Sequence, residues 1–94
     1  MIRTNPQQIA AMEKELISVD RVIRRCEDER YELAAKRRPV AEFKVACDFL
    51  ATLRSRREMI LHELRKAGGS EAGAYHRKED IERELDSEMV GCAL

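Results

Sequence analysis

The side chains that could do chemistry are few and far apart in this chain. There are two histidines, His62 and His76, and neither has a carboxylate or thiol at the spacing of a metal site. Nothing resembles a Ser/His/Asp set, and the glycines follow a helix instead of linking a strand to a helix. We therefore expect no enzyme activity, no metal or other cofactor, and no small-molecule substrate.

The three cysteines indicate a reducing compartment. Cys26 and Cys47 occupy or flank predicted core positions, where cysteine behaves as a small apolar residue, and Cys92 is near the end of the chain. Their odd number and irregular spacing do not fit a disulfide scaffold. The first residues lack the apolar run of a signal peptide, and no segment approaches a membrane span. The sequence predicts a cytoplasmic protein without a membrane partner.

Five basic residues are the candidates for binding nucleic acid. They are Lys36, Arg37, Arg38, Arg54 and Arg57. Phosphate binding needs several cations on one face, but the 18 basic residues are balanced by 18 acidic ones, so there is no global positive field. Aromatic residues for base stacking do not interleave with them. A dimeric nucleic-acid-binding regulator is therefore the alternative function and not the first one.

Apolar periodicity defines the elements that must position these groups. The first third of the chain carries a heptad seam with alternating spacings of three and four: Ile9, Met12, Leu16, Val19, Ile23, Cys26, Arg30 and Leu33. Asn5 and Pro6 form a start signal, and Pro39 ends the pattern. We predict helix 1 over residues 6–37.

A second heptad seam follows Pro39. It consists of Phe43, Ala46, Leu50, Leu53, Arg57, Ile60 and Leu64. Gly68 and Gly69 supply a left-handed stop, so helix 2 is predicted over residues 39–67. Residues 68–74 are small and are predicted to form a flexible linker. Ile81, Leu85 and Met89 recur at intervals of four, which predicts a short amphipathic helix 3 over residues 76–90.

The phase of the two seams favours a hairpin over a continuous rod. The first core position steps by six residues across Pro39, whereas coiled coils absorb insertions of three or four. An antiparallel fold sets Asp20 beside Arg57 and Glu13 beside Arg65, which are opposite charges. A rod kinked at Pro39 is the alternative. The predicted fold is one all-α domain over residues 1–94, a long antiparallel coiled-coil-like hairpin with a short C-terminal helix, which dimerisation could complete into a bundle.

Helix 2 also carries a second row beside its seam, which the hairpin contact would leave exposed. We define the second row as Val45, Phe49, Thr52, Arg56 and Met59. Helix 3, a second copy of the chain or another protein could cover it. The expected function is protein binding through Val45, Phe49, Arg56, Met59, Ile81, Leu85 and Met89, with Phe49 as the main anchor.

Two roles fit a protein-binding helical surface of this kind. One is a homodimeric adaptor or scaffold, and the other is an inhibitor that masks a partner's working surface. A phage or mobile element could use such a small body to block a host machine. The sequence does not choose between these roles.

Overall fold

The computed structural model describes residues 5–92, with side chains described up to residue 88. Within this range the chain forms four helices in the order α1 (Pro6–Ala35), α2 (Val40–Lys66), α3 (Glu71–His76) and α4 (Lys78–Cys92). The predicted all-α hairpin with a short C-terminal helix is confirmed. Each end of the three predicted helices lies within two residues of its predicted bound, and α4 is shifted by two residues toward the C-terminus.

The two long helices pack against each other through the predicted seams. Leu16, Val19 and Ile23 of α1 form one apolar cluster with four leucine and isoleucine residues of α2, which are Leu50, Ile60, Leu61 and Leu64. Leu16, Leu50 and Leu64 are almost completely buried. Burying side chains of this size contributes about 1.5 to 3 kcal/mol each, so this cluster is the main source of stability in the hairpin.

Caps and turn residues explain where α1 begins and ends. The side chain of Asn5 accepts hydrogen bonds from the backbone N–H groups of Gln7 and Gln8, as the sequence predicts for an N-cap. At the other end Arg37 has a left-handed backbone with φ of 52°. The backbone N–H of Arg38 donates to the carbonyl of Leu33, which closes the helix end. The chain therefore reverses direction at Arg37 and Pro39, which excludes the kinked rod.

The prediction of a structureless linker over residues 68–74 is wrong in its second half. Gly68 has φ of 94° and ends α2 as expected. Ser70 then caps α3, because its hydroxyl accepts a hydrogen bond from the backbone N–H of Gly73 at 3.0 Å. Glu71 adds a negative charge in the first turn, where the helix dipole favours it. Ala74 of α3 is fully buried and joins the apolar cluster of the hairpin.

The C-terminal part of the chain packs on α1, so that α1 is covered on two sides. Helices α3 and α4 both contact α1, and they also contact each other. Ile17 of α1 is fully buried, and so is most of Ile81 of α4. Around Ile17, the side chains of Lys14 and Arg21 form ion pairs with Glu88 and Asp86 of α4. The fold is thus a hairpin with a third layer on the α1 side.

Glu13 is a correction to the predicted hairpin pairing. The sequence placed it beside Arg65, but in the structure its carboxylate accepts a hydrogen bond from Arg77, which follows α3. Glu13 is 2% exposed, so the charge is paired where it is buried. The difference arises because the C-terminal part packs on this face of α1, which a two-helix alignment could not anticipate.

Candidate functional site

The apolar side chains of the second row lie on the surface of α2. Val45 is 68% exposed, Phe49 is 51% exposed and Met59 is 70% exposed. Thr52 is exposed too, and its hydroxyl donates to the backbone carbonyl of Asp48 in its own helix. Since α4 packs on α1, the predicted possibility that the C-terminal helix covers the second row is wrong. The second row remains as the candidate site.

Arg56 joins the second row to α1 through an ion pair. Its guanidinium donates to a carboxylate oxygen of Glu15 at 3.1 Å, and both side chains are partly exposed. Because the two helices are antiparallel, the next equivalent pair lies seven residues later on α1 and seven residues earlier on α2. This pair is Val22 and Phe49. Val22 is itself 39% exposed. The register therefore extends the apolar surface from α2 onto α1.

Val22 was missed by the sequence reasoning, which followed only the seam of helix 1. A signal was present, because Val22 is an apolar residue one heptad after Glu15 and next to the seam residue Ile23. The sequence did not show which residue of α2 lies beside Val22. The Glu15–Arg56 ion pair indicates the register of the hairpin and places Val22 level with Phe49.

The three predicted binding residues of the C-terminal helix, Ile81, Leu85 and Met89, differ in how far the structure leaves them accessible. Ile81 is 8% exposed and is therefore removed from the binding surface, because it helps to fix α4 on the chain itself. Leu85 is half-buried and keeps part of its side chain accessible. Met89 lies outside the residues whose side chains the structure describes. Of the predicted protein-binding residues, Val45, Phe49, Arg56 and Met59 form one continuous row, and Leu85 belongs to another part of the surface.

A polar network joins α2, α1 and α3 behind the second row. Arg57 donates to Asp20 of α1 at 2.6 Å, to Glu71 of α3 at 2.5 Å and to the hydroxyl of Tyr75 at 2.8 Å. The hydroxyl of Tyr75 donates to the second carboxylate oxygen of Asp20 at 2.6 Å. The pairing of Asp20 with Arg57 is as the sequence predicts. Glu71 was missed because it falls in the predicted linker, and Tyr75 was missed because it lies between that linker and predicted helix 3.

The network changes the pKa values of two of its members. The hydrogen bond to Glu71, with those to Asp20 and Tyr75, raises the pKa of Arg57 above its ordinary range, although burial acts in the opposite direction. Burial of the hydroxyl end and its hydrogen bond to Asp20 raise the pKa of Tyr75, and Arg57 opposes this effect. Both shifts favour the protonated forms that hold α3 against the hairpin.

Four of the five basic residues predicted for nucleic acid are engaged with carboxylates of this chain. Lys36 is paired with Glu32 at 4.0 Å, and Arg38 donates to Glu42 at 2.9 Å. Arg54 is paired with Glu27, and Arg57 belongs to the internal network. Arg37 has a left-handed backbone conformation at the turn between α1 and α2. The cations are therefore distributed over the tip and both sides of the hairpin, and four of them lie beside a neutralising carboxylate.

The structure also places the remaining candidate groups. His62 lies on the surface of α2 in a depression lined by Glu58, Met59 and Glu63, next to one end of the second row. Cys26 and Cys47 are half-buried free thiols. Among the side chains of residues 5–88, no group of three or more His, Cys, Asp and Glu is placed to hold a metal ion. None of the helices in that range is both long enough and apolar enough to cross a bilayer.

Comparison with protein-family models, with curated proteins and with solved structures finds no match for this chain.

Proposed function

We propose that this protein is a non-enzymatic protein-binding module that acts through the second row of α2. The observation that carries the proposal is the exposure of Phe49 and Met59 on a helix whose opposite face is buried in the hairpin. Large apolar side chains of this kind dominate the binding energy of protein interfaces, and methionine adapts its shape to a partner. An amphipathic helix commonly binds a partner through such a row.

Charge gives the surface its selectivity. Arg56 lies between Phe49 and Met59 and is paired with Glu15, so its guanidinium is oriented toward α1 before a partner arrives. A fixed cation inside an apolar row favours a partner that offers an aromatic face or a carboxylate at that point. The protein would act as an adaptor or scaffold, or as an inhibitor that covers a partner's surface. The half-buried free thiols support a cytoplasmic location.

The test compares binding by three forms of the protein. In the variant Phe49→Glu/Met59→Glu we expect bound partner proteins, including a second copy, to be lost, because two charges are placed at the centre of the row. The control is Tyr31→Glu, which adds a charge at an exposed ring outside the second row. Binding is measured by quantitative affinity capture and by light scattering, with circular dichroism to confirm folding.

Salt separates this function from the nucleic-acid alternative. Binding through the second row should change little between about 0.1 and 1 M salt, because apolar contacts are not screened. Nucleic-acid binding should weaken steeply over the same range and should depend on Lys36, Arg37, Arg38 or Arg54. If the double variant folds and keeps the same mass and the same captured proteins as the native chain, the proposed function is wrong.

A further inference from the structure

The second row has the spacing of a coiled-coil seam in its own right. Its five members recur at intervals of four, three, four and three residues, and its apolar members lie exposed. A two-helix coil needs the same repeat on both partners, and a second copy of the chain supplies it. We infer that the second row pairs with the second row of another copy, with the two α2 helices antiparallel and Thr52 on the two-fold axis. This inference rests on the proposed function and identifies its partner.

Arg56 decides the direction of the pairing. In a parallel alignment Arg56 would face Arg56 of the second copy, and two like charges would meet in the seam. In an antiparallel alignment centred on Thr52, Arg56 faces Asp48 of the second copy and lies beside the neighbouring Phe49, and the reverse contact forms on the other side of the axis. A guanidinium over an aromatic face is a favourable contact. The ion pair with Glu15 at 3.1 Å holds the same guanidinium from α1.

The remaining positions of the antiparallel alignment also agree. Val45 and Met59 are each one heptad from Thr52, so Val45 of one copy meets Met59 of the other, and both are apolar and exposed. Asp48 is a flanking position of this seam, and it faces Arg56 of the second copy, which has the opposite charge. The second row is therefore complementary to itself in charge.

Disulfide crosslinking tests the arrangement. In a chain with Cys26→Ala, Cys47→Ala and Cys92→Ser, Thr52→Cys should form a covalent dimer on mild oxidation, because Thr52 faces itself across the axis. Val45→Cys is the matched control. In the antiparallel pair two Val45 positions are about 21 Å apart and cannot be bridged, whereas a parallel pair would bridge them. A mixture of Val45→Cys with Met59→Cys should crosslink.

Solution mass distinguishes failure of this inference from failure of the proposed function. Phe49→Glu should raise the dimer dissociation constant by on the order of thirtyfold, and Tyr31→Glu should leave it unchanged. A native chain that stays monomeric at all concentrations, yet captures another protein through Phe49, would overturn the self-pairing alone. Loss of both would overturn the proposed function as well.

A charge exchange keeps the test decisive if the cysteine-free chain does not fold. In the native chain Asp48→Arg should weaken the dimer, because it places a second cation opposite Arg56 of the second copy. Adding Arg56→Asp should restore the dimer, since the two exchanged charges attract again. Equal weakening by the single and the double variant would contradict the antiparallel register.

Discussion

At the scale of single residues, Arg37 carries the turn that makes the hairpin. Its φ of 52° lies in the left-handed region, which costs an ordinary residue about 1 kcal/mol or more but costs glycine little. We therefore expect Arg37→Gly to stabilise the protein by about 1 kcal/mol in urea unfolding. The control is Lys36→Gly, where φ is −87° and the substitution should be destabilising. Equal destabilisation by both variants would show that the turn does not require this backbone.

Tyr75 reports on the polar network through its own titration. The chain has two tyrosines, so Tyr31→Phe leaves Tyr75 as the single phenol. Its pKa is raised above the ordinary value of 10.0 by burial and by the hydrogen bond to Asp20. We expect its absorbance change on ionisation to have a midpoint above that value in the folded chain, and a lower midpoint for the same variant unfolded in urea.

The sign of the effect on stability follows from this shift. The folded state holds the proton of Tyr75 to higher pH than the unfolded state does, so the stabilisation is complete below the unfolded pKa of about 10. It is lost as pH rises through the folded pKa. The difference in unfolding free energy between the Tyr31→Phe chain and a chain that also carries Tyr75→Phe should therefore shrink above pH 10. A constant difference would contradict the raised pKa.

At the scale of helices, the network of Arg57 fixes α3 to the hairpin. Arg57 and Asp20 have side chains that are 20% and 18% exposed, so removal of the cation leaves a carboxylate in a partly buried place. We expect Arg57→Met to cost about 2 kcal/mol and to increase hydrogen exchange in α3. Arg54→Met removes an exposed pair with Glu27 and should cost less than about 1 kcal/mol. Similar costs for the two variants would indicate that the network does not stabilise the fold.

The helices also show which parts of the fold were predictable. The hairpin could be predicted because its seams, its Asn5 cap and its Gly68 stop are local signals that agree with one another. Helix α3 was missed because Gly73 and the small residues around it resemble a linker, and the signal against that was the Ser70 cap. Its six residues are stabilised by packing, through Ala74 and Arg57, more than by propensity.

The candidate site was predictable in part for the same reason. Val45, Phe49 and Met59 follow helical spacing on a predicted helix, so their common face could be read directly. Ile81 follows the same rule on α4, but periodicity says which face is apolar and does not say what covers it. Only the packing of α4 on α1 decided that Ile81 is buried while Phe49 is exposed.

At the scale of the whole molecule, α1 is the central element, because α2 lies against one side and the C-terminal helices lie against another. This arrangement predicts two different consequences of core mutations. Ile81→Ala should cost about 2 to 4 kcal/mol locally and should increase hydrogen exchange in α4, since α4 can separate from α1 without opening the hairpin. Leu16→Ala, in the fully buried hairpin cluster, should lower protection in α1, α2 and α4 together.

Hydrogen exchange resolved by helix separates these outcomes. We expect Ile81→Ala to leave the amides of α1 and α2 protected, and Leu85→Ala, at a half-buried position, to have a smaller effect on the same helix. The ion pairs of Lys14 and Arg21 with α4 should make its protection fall at about 1 M salt, where charges are screened within about 3 Å. If Ile81→Ala and Leu16→Ala increased exchange equally in all helices, the chain would unfold as one cooperative unit, and α4 could not separate from the hairpin independently.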